Sequence, residues 1–528
     1  MAKLVDRGHV LRGQVLRGQV LREQVLIGRV LSGLLVLGTS LLLSCRAVGP
    51  SFTAPAVSVP PAFKASTAES SATPSSSASP SASPPSFPSD SRSASPSASP
   101  SAADLKLTSD WWTLLNDPQL DRLEQQALAA NPSLAIAAAR VERARAQWMT
   151  VLADRSPRLN ADASVQRFRT SRDVATAPLV AGQRRAIQDN QFSPQLSLAW
   201  ELDFWGRIQR ADESSQAQLR AVSLDAQNAR LLLSADVAAQ YFQLRALDEE
   251  AKILTAATRS RQNALRVAQA RFDAGVTTDL DLQRARTELA NAQAETADLA
   301  RRREGAENAL AVLTGQAPSE LRLRMFADPL PPVPSVAAQI PADLLTRRAD
   351  IAQALAQVEA AYAQIGVAQA GFYPQIRLTG YGGLASSDLS NLLSAPARIF
   401  SLGPSVSLPV LDGGRNRANL KAAEAMLAET QSNYQQRVLM ALREVDDALA
   451  ELGHRRAIAA LQATTVEASG RAARVARIRY DQGAASYLEV TDTERTELGA
   501  QRAIVQTRGA QWAATIQLIK ALGGGWSE

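Results

Sequence analysis

Two long stretches of this sequence are copies of one another, and this duplication constrains the fold more than any other feature of the chain. The first stretch lies between Gly206 and Gly275, and its 68 residues include neither glycine nor proline. The second lies between Gly414 and Gly483, is also 68 residues long, and contains no proline. Short motifs recur at a constant offset of 208 residues, which indicates a tandem duplication. The recurring motifs include Gly206-Arg207 and Gly414-Arg415, Arg271-Phe272-Asp273 and Arg479-Tyr480-Asp481, Leu310 and Leu518, and Gly315 and Gly523.

The composition and periodicity of each stretch predict one continuous helix. Ala, Leu, Arg, Gln and Glu, which favour helices, dominate both stretches. Apolar residues of the first stretch recur at steps of three, four or seven, as they do along the seam of a coiled coil. At 1.5 Å per residue, such a stretch would span about 100 Å, which is typical of a coiled-coil scaffold or of the wall of an elongated structure. The seam residues are Leu219, Val222, Ala226, Ala229, Leu233, Val237, Leu244 and Leu247.

A sharp corner follows each long stretch. The segments from Gly275 to Asp281 and from Gly483 to Glu489 separate each predicted long helix from a second helical segment. Glycine supplies the backbone freedom that such a corner requires. We therefore expect two helical hairpins, whose tips lie at the ends of the long helices that are farthest from the strands described next.

Four segments change from helical periodicity to alternation of apolar and polar residues, which predicts β-strands. Two precede the first long helix and two precede the second, so each repeat contributes one hairpin. Alternating segments of about ten residues are typical of strands in a membrane β-barrel, and a small soluble sheet is the alternative. Pro194, Pro404 and Pro409 weaken the prediction of a regular ladder. The positions on the apolar face are Leu159, Ala161, Ala163 and Val165, then Phe192, Pro194, Leu196, Leu198, Trp200, Leu202 and Phe204, then Ile376, Leu378 and Leu384, and finally Leu402, Val406, Leu408 and Val410.

Such a sheet cannot close into a barrel within one chain. Four strands are too few, and an open strand edge cannot face lipid because its N–H and C=O groups would lack partners. The alanine-rich seams of the long helices need neighbours as well. The sequence therefore predicts an α+β membrane protein in which other subunits complete the barrel and pack against the long antiparallel helices.

The first 45 residues have the pattern of a bacterial lipoprotein signal. Basic residues precede an apolar run from Val30 to Leu43, which is too short to cross a membrane comfortably. The run ends in Leu42-Leu43-Ser44-Cys45, and Cys45 is the only cysteine of the sequence. We predict that Cys45 carries a diacylglycerol and an N-acyl chain, which together give stable anchoring. The alternative is a buried cysteine at the end of an anchor helix.

Composition divides the chain into five segments. Residues 1–44 are predicted to be the signal peptide and residues 45–63 an extended, lipidated N-terminal segment. Residues 64–103 are mostly Ser, Ala and Pro, a composition that cannot bury apolar surface, and they are predicted to form a disordered tether. Residues 104–328 and 329–528 are the two repeats.

The sequence does not contain the residue patterns of an enzyme. The two histidines, His9 and His454, are isolated, and there is no phosphate-binding loop, nucleophile elbow or Cys/His cluster for a metal. The acidic pairs Asp446-Asp447 and Glu249-Glu250 are interpreted as solvated helix faces rather than as an acid/base site. The net charge of +6 is spread along helices, which argues against nucleic-acid binding. We therefore expect neither catalysis nor a cofactor beyond the acyl chains on Cys45.

Several short motifs, spread over nearly the whole mature chain, are found together in one family. They are Cys45 followed by Val48-Gly49-Pro50, the run from Trp200 to Arg207, Asp343-Leu344-Leu345 with Arg347-Arg348, Ile365-Gly366 with Phe372-Tyr373-Pro374, Leu408-Pro409 with Gly413-Gly414, and the C-terminal Ala521-Leu522-Gly523-Gly524-Gly525-Trp526. With these motifs, the chain resembles the TolC-like outer membrane efflux proteins, and among them the NodT/OprM-type lipoproteins.

The resemblance implies both an architecture and a set of partners. Three copies would each supply four strands to one twelve-stranded barrel in the outer membrane, and the long helices would form a tunnel across the periplasm. The homotrimer would serve as the passive exit duct of a tripartite efflux system for small molecules. Its partners would be an inner-membrane RND-type transporter, a periplasmic adaptor of the membrane fusion class, and the lipid of the outer membrane.

The resemblance also assigns roles to the two helical tips. The run from Tyr487 to Asp492 matches the segment in which a ring of leucines and a ring of aspartates narrow the pore, so Leu488 and Asp492 are the predicted gate. The alternative is an ordinary first helical turn, in which acidic residues favour the helix dipole. The predicted adaptor contacts are Arg271, Gly275, Thr277, Asp279 and Gly483.

Two other functions stay open at this point. The same duct could export polypeptides, although the lipoprotein signal and the NodT-like motifs favour small molecules. A lipid-anchored coiled-coil scaffold without a pore is the third possibility, and the alternating strands argue against it. The sequence does not identify the cargo or the particular pump.

Overall fold

A computed structural model describes residues 47–56, 59–64, 110–171, 188–334, 336 and 347–524. The predicted signal peptide, Cys45 and nearly all of the Ser/Pro/Ala segment lie outside the described residues. Backbone contacts divide the chain into two compact units. We call them the sheet unit (Met1–Thr53, Ala146–Ala217 and Glu359–Glu429) and the helical unit (Ala54–Arg145, Gln218–Val358 and Thr430–Glu528). Each unit thus takes segments from both repeats.

Seven α-helices occur in the described residues. They are α1 (Pro118–Ala130), α2 (Pro132–Ala153), α3 (Arg207–Asp273), α4 (Asp279–Leu313), α5 (Ala349–Ala370), α6 (Arg415–Asp481) and α7 (Tyr487–Ala521). The predicted long helices are α3 and α6, each of 67 residues, and the helices that follow their corners are α4 and α7, each of 35 residues. The equal lengths and the constant offset confirm that the duplication repeats a pair of helices. Short 3-10 turns lie at Trp111–Leu115, Leu389–Asn391 and Ala395–Ala397.

The sheet unit contains one four-stranded antiparallel sheet in the order β1-β2-β3-β4. Its strands are β1 (Arg158–Arg169), β2 (Gln188–Leu202), β3 (Gln375–Leu384) and β4 (Arg398–Ser407). Within the four strands the register confirms the alternation read from the sequence, because opposite residues share a face in a sheet. The predicted positions Phe204, Leu408 and Val410 lie beyond the ends of β2 and β4, so the predicted strand ends were wrong there. On one face Leu159 lies opposite Leu198, Trp200 opposite Leu378, and Ile376 opposite Val406. On the other face Asn160 lies opposite Ser197, Glu201 opposite Arg377, and Thr379 opposite Gly403.

The prolines in the strands occupy positions at which the ladder tolerates them. Pro194 of β2 pairs with Ala163 of β1 and lies one residue outside the β2–β3 pairing, which ends at Gln195. Pro404 lies in β4, which pairs with β3 alone among the described residues. Each proline thus lies at a position that pairs with only one neighbouring strand within the chain, so neither interrupts the sheet described here.

The core of the helical unit is built from aromatic side chains contributed by distant parts of the chain. Phe242 of α3 and Trp512 of α7 stack with their ring centroids 3.7 Å apart. The indole of buried Trp111 donates a hydrogen bond to Ser234 Oγ over 3.1 Å. Half of the predicted seam of α3 is buried in this unit, namely Leu233, Val237, Leu244 and Leu247.

One local prediction from the sequence is wrong. We predicted that Glu249-Glu250 forms a solvated face, but Glu250 is 1% exposed and accepts a hydrogen bond of 2.9 Å from Arg502 Nε. Helix α2 begins at Pro132, and the side chain of Asn131 accepts a hydrogen bond from the Ser133 N–H over 2.7 Å. Asn131 is therefore the cap of this helix, because it satisfies a free N–H of the first turn.

One buried carboxyl group has no partner in the described residues. Glu124 of α1 is fully buried, and neither of its side-chain oxygens has a hydrogen-bond partner. Burial, and next the charge of Asp121, raise the pKa of Glu124 to about 9. The Glu124 side chain is consequently uncharged at neutral pH, since an isolated carboxylate is costly away from water. Among the described residues, no helix combines the length and apolar composition needed to cross a membrane.

Candidate functional site

The two helical corners have the same backbone geometry. Gly275 and Gly483 adopt φ angles of 70° and 75°, in the left-handed region that favours glycine. At the first corner the N–H of Val276 donates to the carbonyl of Arg271 over 2.9 Å, and at the second the N–H of Ala484 donates to the carbonyl of Arg479 over 2.8 Å. Each corner is thus a Schellman motif, which satisfies the last carbonyls of a helix as the chain reverses.

The first tip is the corner between α3 and α4. The hydroxyl of Thr277 donates to Asp281 Oδ2 over 2.9 Å, and Asp281 Oδ1 lies 3.5 Å from Arg284 Nη1. Asp279 is exposed, and its side chain accepts a hydrogen bond of 3.0 Å from Gln283. Both acidic side chains at the start of α4 are therefore held by partners within α4 and its cap.

The second tip is the corner between α6 and α7, and it carries the predicted gate residues. Leu488 is 52% exposed, Asp492 is exposed as well, and the two lie four residues apart on one face of α7. Glu489 is paired with Arg479 at 2.8 Å. In the described residues no hydrogen bond or salt bridge reaches the Asp492 carboxylate, whose charge acts on Arg495 of the same helix only at longer range. The tip thus presents an apolar side chain and an unpaired acid side by side.

The two tips contact each other through side chains that the sequence did not single out together. The guanidinium of Arg271 lies 4.7 Å from the ring centroid of Tyr480, in a cation–π contact. Tyr487 is buried and packs with Ala268 and Ala285 of the first tip. Arg271, a predicted adaptor contact, therefore also links the two repeats. The sequence offered one signal for this contact, namely that Tyr480 replaces Phe272 at the equivalent position.

Ionic contacts continue this link along the helices. Glu288 of α4 is 5% exposed, lies 3.6 Å from Arg261 Nη2, and is also paired with Arg495 of α7. Further along, Arg502 of α7 contacts Glu250 over 2.9 Å and Glu295 over 3.0 Å. Breaking a buried pair leaves an uncompensated charge, so these contacts hold the second hairpin against the first.

A second candidate region is the N-terminal segment 47–53, which we call the strap. It lies in the sheet unit, where the N–H of Val48 donates to the Trp205 carbonyl over 3.0 Å. Arg210 of α3 donates from Nε to the Val48 carbonyl over 3.2 Å. A Cβ at Gly49, whose φ is 111°, would lie 2.6 Å from the Cα of Gly366 in α5. The strap is therefore seated where only glycine allows the backbones to approach so closely.

Aromatic residues surround the seated strap. Phe52 meets the ring of Tyr362 edge to face, with centroids 5.7 Å apart. Trp205 stacks on Tyr373 at 4.8 Å and donates from its indole to the Pro374 carbonyl over 2.8 Å. Cys45 lies outside the described residues, but it precedes Ala47 by only two positions. Among the described residues, no group of three or more His, Cys, Asp or Glu side chains could hold a metal ion.

Comparison with known proteins agrees with this geometry. A family model described as outer membrane efflux protein matches residues 123–316 and 340–524. The solvent efflux pump outer membrane protein SrpC of Pseudomonas putida is 35% identical over 416 residues, which are 78% of this chain and 86% of SrpC. The cation efflux system protein CusC of Escherichia coli is 31% identical over 436 residues, 81% of this chain and 90% of CusC. The solved structure of the outer-membrane channel OprN is 30% identical, covers 90% of this chain and 99% of its own, and superposes with a TM-score of 0.77.

Proposed function

The chain belongs to the outer membrane efflux protein family, and from this premise we propose that it is the passive exit duct of a tripartite efflux system. Members of this family are transport channels and not enzymes. The chain has the TolC-like fold, with four strands and long antiparallel helices, and it is a channel of the bacterial outer membrane that extends into the periplasm. The pore-free scaffold considered above is therefore set aside.

The observation that carries the proposal is the sheet with two unlike faces and two open edges. Leucine and other apolar residues predominate on one face, which carries Arg167 near its end, and serine, asparagine, glutamine and charged residues predominate on the other. In the described residues β1 and β4 each pair with a single neighbour. Lipid does not tolerate unpaired strand edges, so β4 of one copy pairs with β1 of the next until the sheet closes. Three copies give twelve strands, with the apolar face toward lipid and the polar face toward the pore.

The cargo in this proposal is a class of small molecules or ions. The printed names of the relatives include a solvent efflux protein and a cation efflux protein. Both are small compared with a polypeptide, so small-molecule export is favoured over secretion. An inner-membrane RND-type transporter would supply the energy and a periplasmic adaptor would meet the hairpin tips. Arg271, Gly275, Thr277, Asp279 and Gly483 are the candidate adaptor contacts.

Lipidation of Cys45 is part of the same proposal. Cys45 precedes Ala47, the first residue of the strap, by two positions in the sequence. Ala47 itself touches Gly206, where a Cβ would lie 2.7 Å from the Ala47 Cα. The strap would thus hold the acyl chains beside Trp205 and Tyr373, and aromatic side chains of this kind favour the border between lipid and water.

The proposed gate is the exposed pair Leu488 and Asp492 of the second tip. A three-fold axis would bring three copies of each side chain around one pore. Three leucines would form an apolar constriction, and three carboxylates would attract cations. The pair is free to do so because, among the described residues, the Asp492 carboxylate has no hydrogen-bonded or ion-paired partner.

The experiment that tests the proposal is the native mass of the full-length protein extracted in detergent, followed by conductance in planar bilayers. We expect a trimer whose subunits begin at an acylated Cys45, and ion conductance after reconstitution. A monomer or dimer without acyl mass would remove both the barrel and the anchor. Genes for a pump and an adaptor beside this gene would support efflux over secretion.

A further inference from the structure

A cavity of about 320 Å³ lies at the end of the polar sheet face, where β2 leads into α3. Its lining includes Arg158 of β1, Arg377 of β3 and Arg207, the first residue of α3. The register puts Arg158 opposite Ala199, and Arg377 opposite Glu201, so both arginines belong to the polar face. All the lining residues belong to the sheet unit.

Arginines outnumber carboxylates in the lining of this cavity. Three arginines line it, together with the two carboxylates Asp154 and Glu201. The charge of Asp203, just outside the lining, also acts on Arg207. Guanidinium groups bind carboxylates and phosphates through paired N–H donors, which distinguishes them from a simple point charge.

Only one of the three arginines is fully engaged. Arg207 Nε donates to Glu201 Oε1 over 2.7 Å, and this pair is largely shielded. Arg377 approaches the second oxygen of Glu201 only to 3.8 Å, beyond hydrogen-bond distance, and its side chain is 54% exposed. The Arg158 side chain is 67% exposed, and its pairing with Asp154 is an exposed contact within four residues. Exposed pairs contribute little, so an incoming anion competes with them easily.

We propose that Arg158 and Arg377, supported by the Arg207–Glu201 pair, form a binding subsite for anionic groups of the carboxylate or phosphate class on molecules passing through the channel. The inference rests on the proposed function in one respect, which is that the polar face lines the pore. In the trimer the subsite would occur three times around one opening. It would concentrate anionic cargo at the point where the helices give way to strands.

The test uses inorganic pyrophosphate as the probe and the full-length protein as the sample. Equilibrium dialysis of labelled pyrophosphate against the detergent-solubilised protein measures binding directly. In a planar phosphatidylcholine bilayer, pyrophosphate is added on the side opposite the helical tips, and the concentration that halves the ionic current is measured. We expect the double variant R158Q/R377Q to raise both the dissociation constant and the half-blocking concentration by about tenfold or more, because two charge-assisted contacts are lost.

The matched control is R167Q, which removes an arginine from the same strand. Arg167 lies an odd number of residues from Arg158 and so occupies the opposite, apolar face of the sheet. This variant should bind pyrophosphate like the wild type. A charge-retaining variant, R158K/R377K, should bind with intermediate affinity, because lysine keeps the charge but not the paired donors. Adding anionic lipid to the bilayer should leave the block unchanged, whereas competition by lipid would place the site on the membrane side and overturn a pore subsite.

The two proposals fail in different ways. If the wild type conducts ions and R158Q/R377Q binds pyrophosphate as tightly as the wild type, the subsite is refuted and the channel stands. A protein that binds pyrophosphate through these arginines but gives no conductance would refute the channel and the passage of cargo past the subsite. If R158Q/R377Q does not form trimers, the dialysis comparison of R158K/R377K with the wild type still decides the question, since equal affinity would contradict recognition by guanidinium groups.

Discussion

The first and second helical tips share one backbone but present opposite charges at equivalent positions. Each tip follows a glycine with a φ near 70°, and each places an exposed leucine in the first turn of the next helix, Leu280 at 57% and Leu488 at 52% exposure. Four residues beyond the leucine, the first tip has Arg284 and the second has Asp492. Arg284 lies 3.5 Å from Asp281, whereas the Asp492 carboxylate has no such partner among the described residues.

This difference shows how a duplication can separate two roles without changing the fold. The corner is fixed by the glycine and by the hydrogen bonds that end the helix, so both copies retain it. The side chains that follow are free to diverge because they lie on exposed helix surface. Only the second tip carries an apolar residue and an unpaired acid together, and we therefore assign the gate to it alone.

The largest difference between the two tips is expected when the charge of Asp492 is removed. In D492A we expect the concentration of Mg²⁺ that half-blocks the channel to rise about tenfold or more, because a ring of carboxylates is removed. The matched change at the first tip, R284A, should leave the block within about twofold, since that charge is paired within its own helix. Single-channel recordings measure both. Unchanged conductance and block in D492A would remove Asp492 from the gate.

Alanine at the two corner glycines would test whether the backbones are equivalent. No atom lies within 4 Å of a Cβ built at Gly275 or Gly483, so the cost is that of the left-handed conformation, about 1–2 kcal/mol for each variant. The midpoint of thermal unfolding of G275A and G483A measures it. The control G499A, at an unobstructed position inside α7, should instead be neutral or stabilising. A large difference between G275A and G483A would show that the corners are not equivalent.

A double-mutant cycle between Arg271 and Tyr480 would measure how strongly the tips hold each other. We expect a coupling free energy of about 1 kcal/mol from R271A, Y480L and the double variant, since the cation lies over the ring. The equivalent arginine of the second tip, Arg479, pairs with Glu489 on the surface, and that cycle should give about 0.5 kcal/mol or less. Denaturant unfolding provides both values. Equal couplings would argue against a special contact between the tips.

The smallest expected effect depends on pH and concerns Glu494, whose counterpart in the first repeat is Arg286. Burial is the main cause that raises the pKa of Glu494 above its usual value. The unfolded chain therefore releases this proton at lower pH than the folded chain, and stability falls as pH rises from about 4 through the raised pKa. E494Q should gain stability relative to the wild type over that range, measured by denaturant unfolding at several pH values. R286Q should show no such trend, because arginine stays charged throughout, and a trend in R286Q but not in E494Q would contradict this explanation.

Local rules predicted the elements of the fold from the sequence. Gly206 precedes α3 and Gly275 follows it, and α3 is observed from Arg207 to Asp273. A left-handed glycine commonly ends a helix, so Gly275 marked the end of α3 in the sequence. The alternation of apolar and polar residues at every second position predicted the two faces of the sheet. The family resemblance then supplied Leu488 and Asp492, which the structure shows on one exposed face of α7. Their action as a gate stays a prediction.

Contacts between distant residues could not be predicted in this way. Glu250 looked like a solvated acid because its partner, Arg502, lies 252 residues further along the chain. The contact of Arg271 with Tyr480 also depends on how two hairpins pack, and helical periodicity fixes only which residues share a face, not which helix meets them. The motif Val48-Gly49-Pro50 was identified in the sequence, but the close contact of Gly49 with Gly366 is visible only in the structure.

The left-handed glycines at the corners limit which substitutions the gene can accept at these two positions. Every single-base change that alters a glycine codon yields alanine, serine, arginine, cysteine, tryptophan, aspartate, glutamate, valine or a stop. Asparagine, which tolerates the left-handed region best after glycine, is not among them. Gly275 and Gly483 have open space around them but positive φ angles. Nearly every substitution that one base change can produce there would therefore destabilise the corner. Natural variation should therefore accumulate in the side chains of the tips long before it reaches the corners.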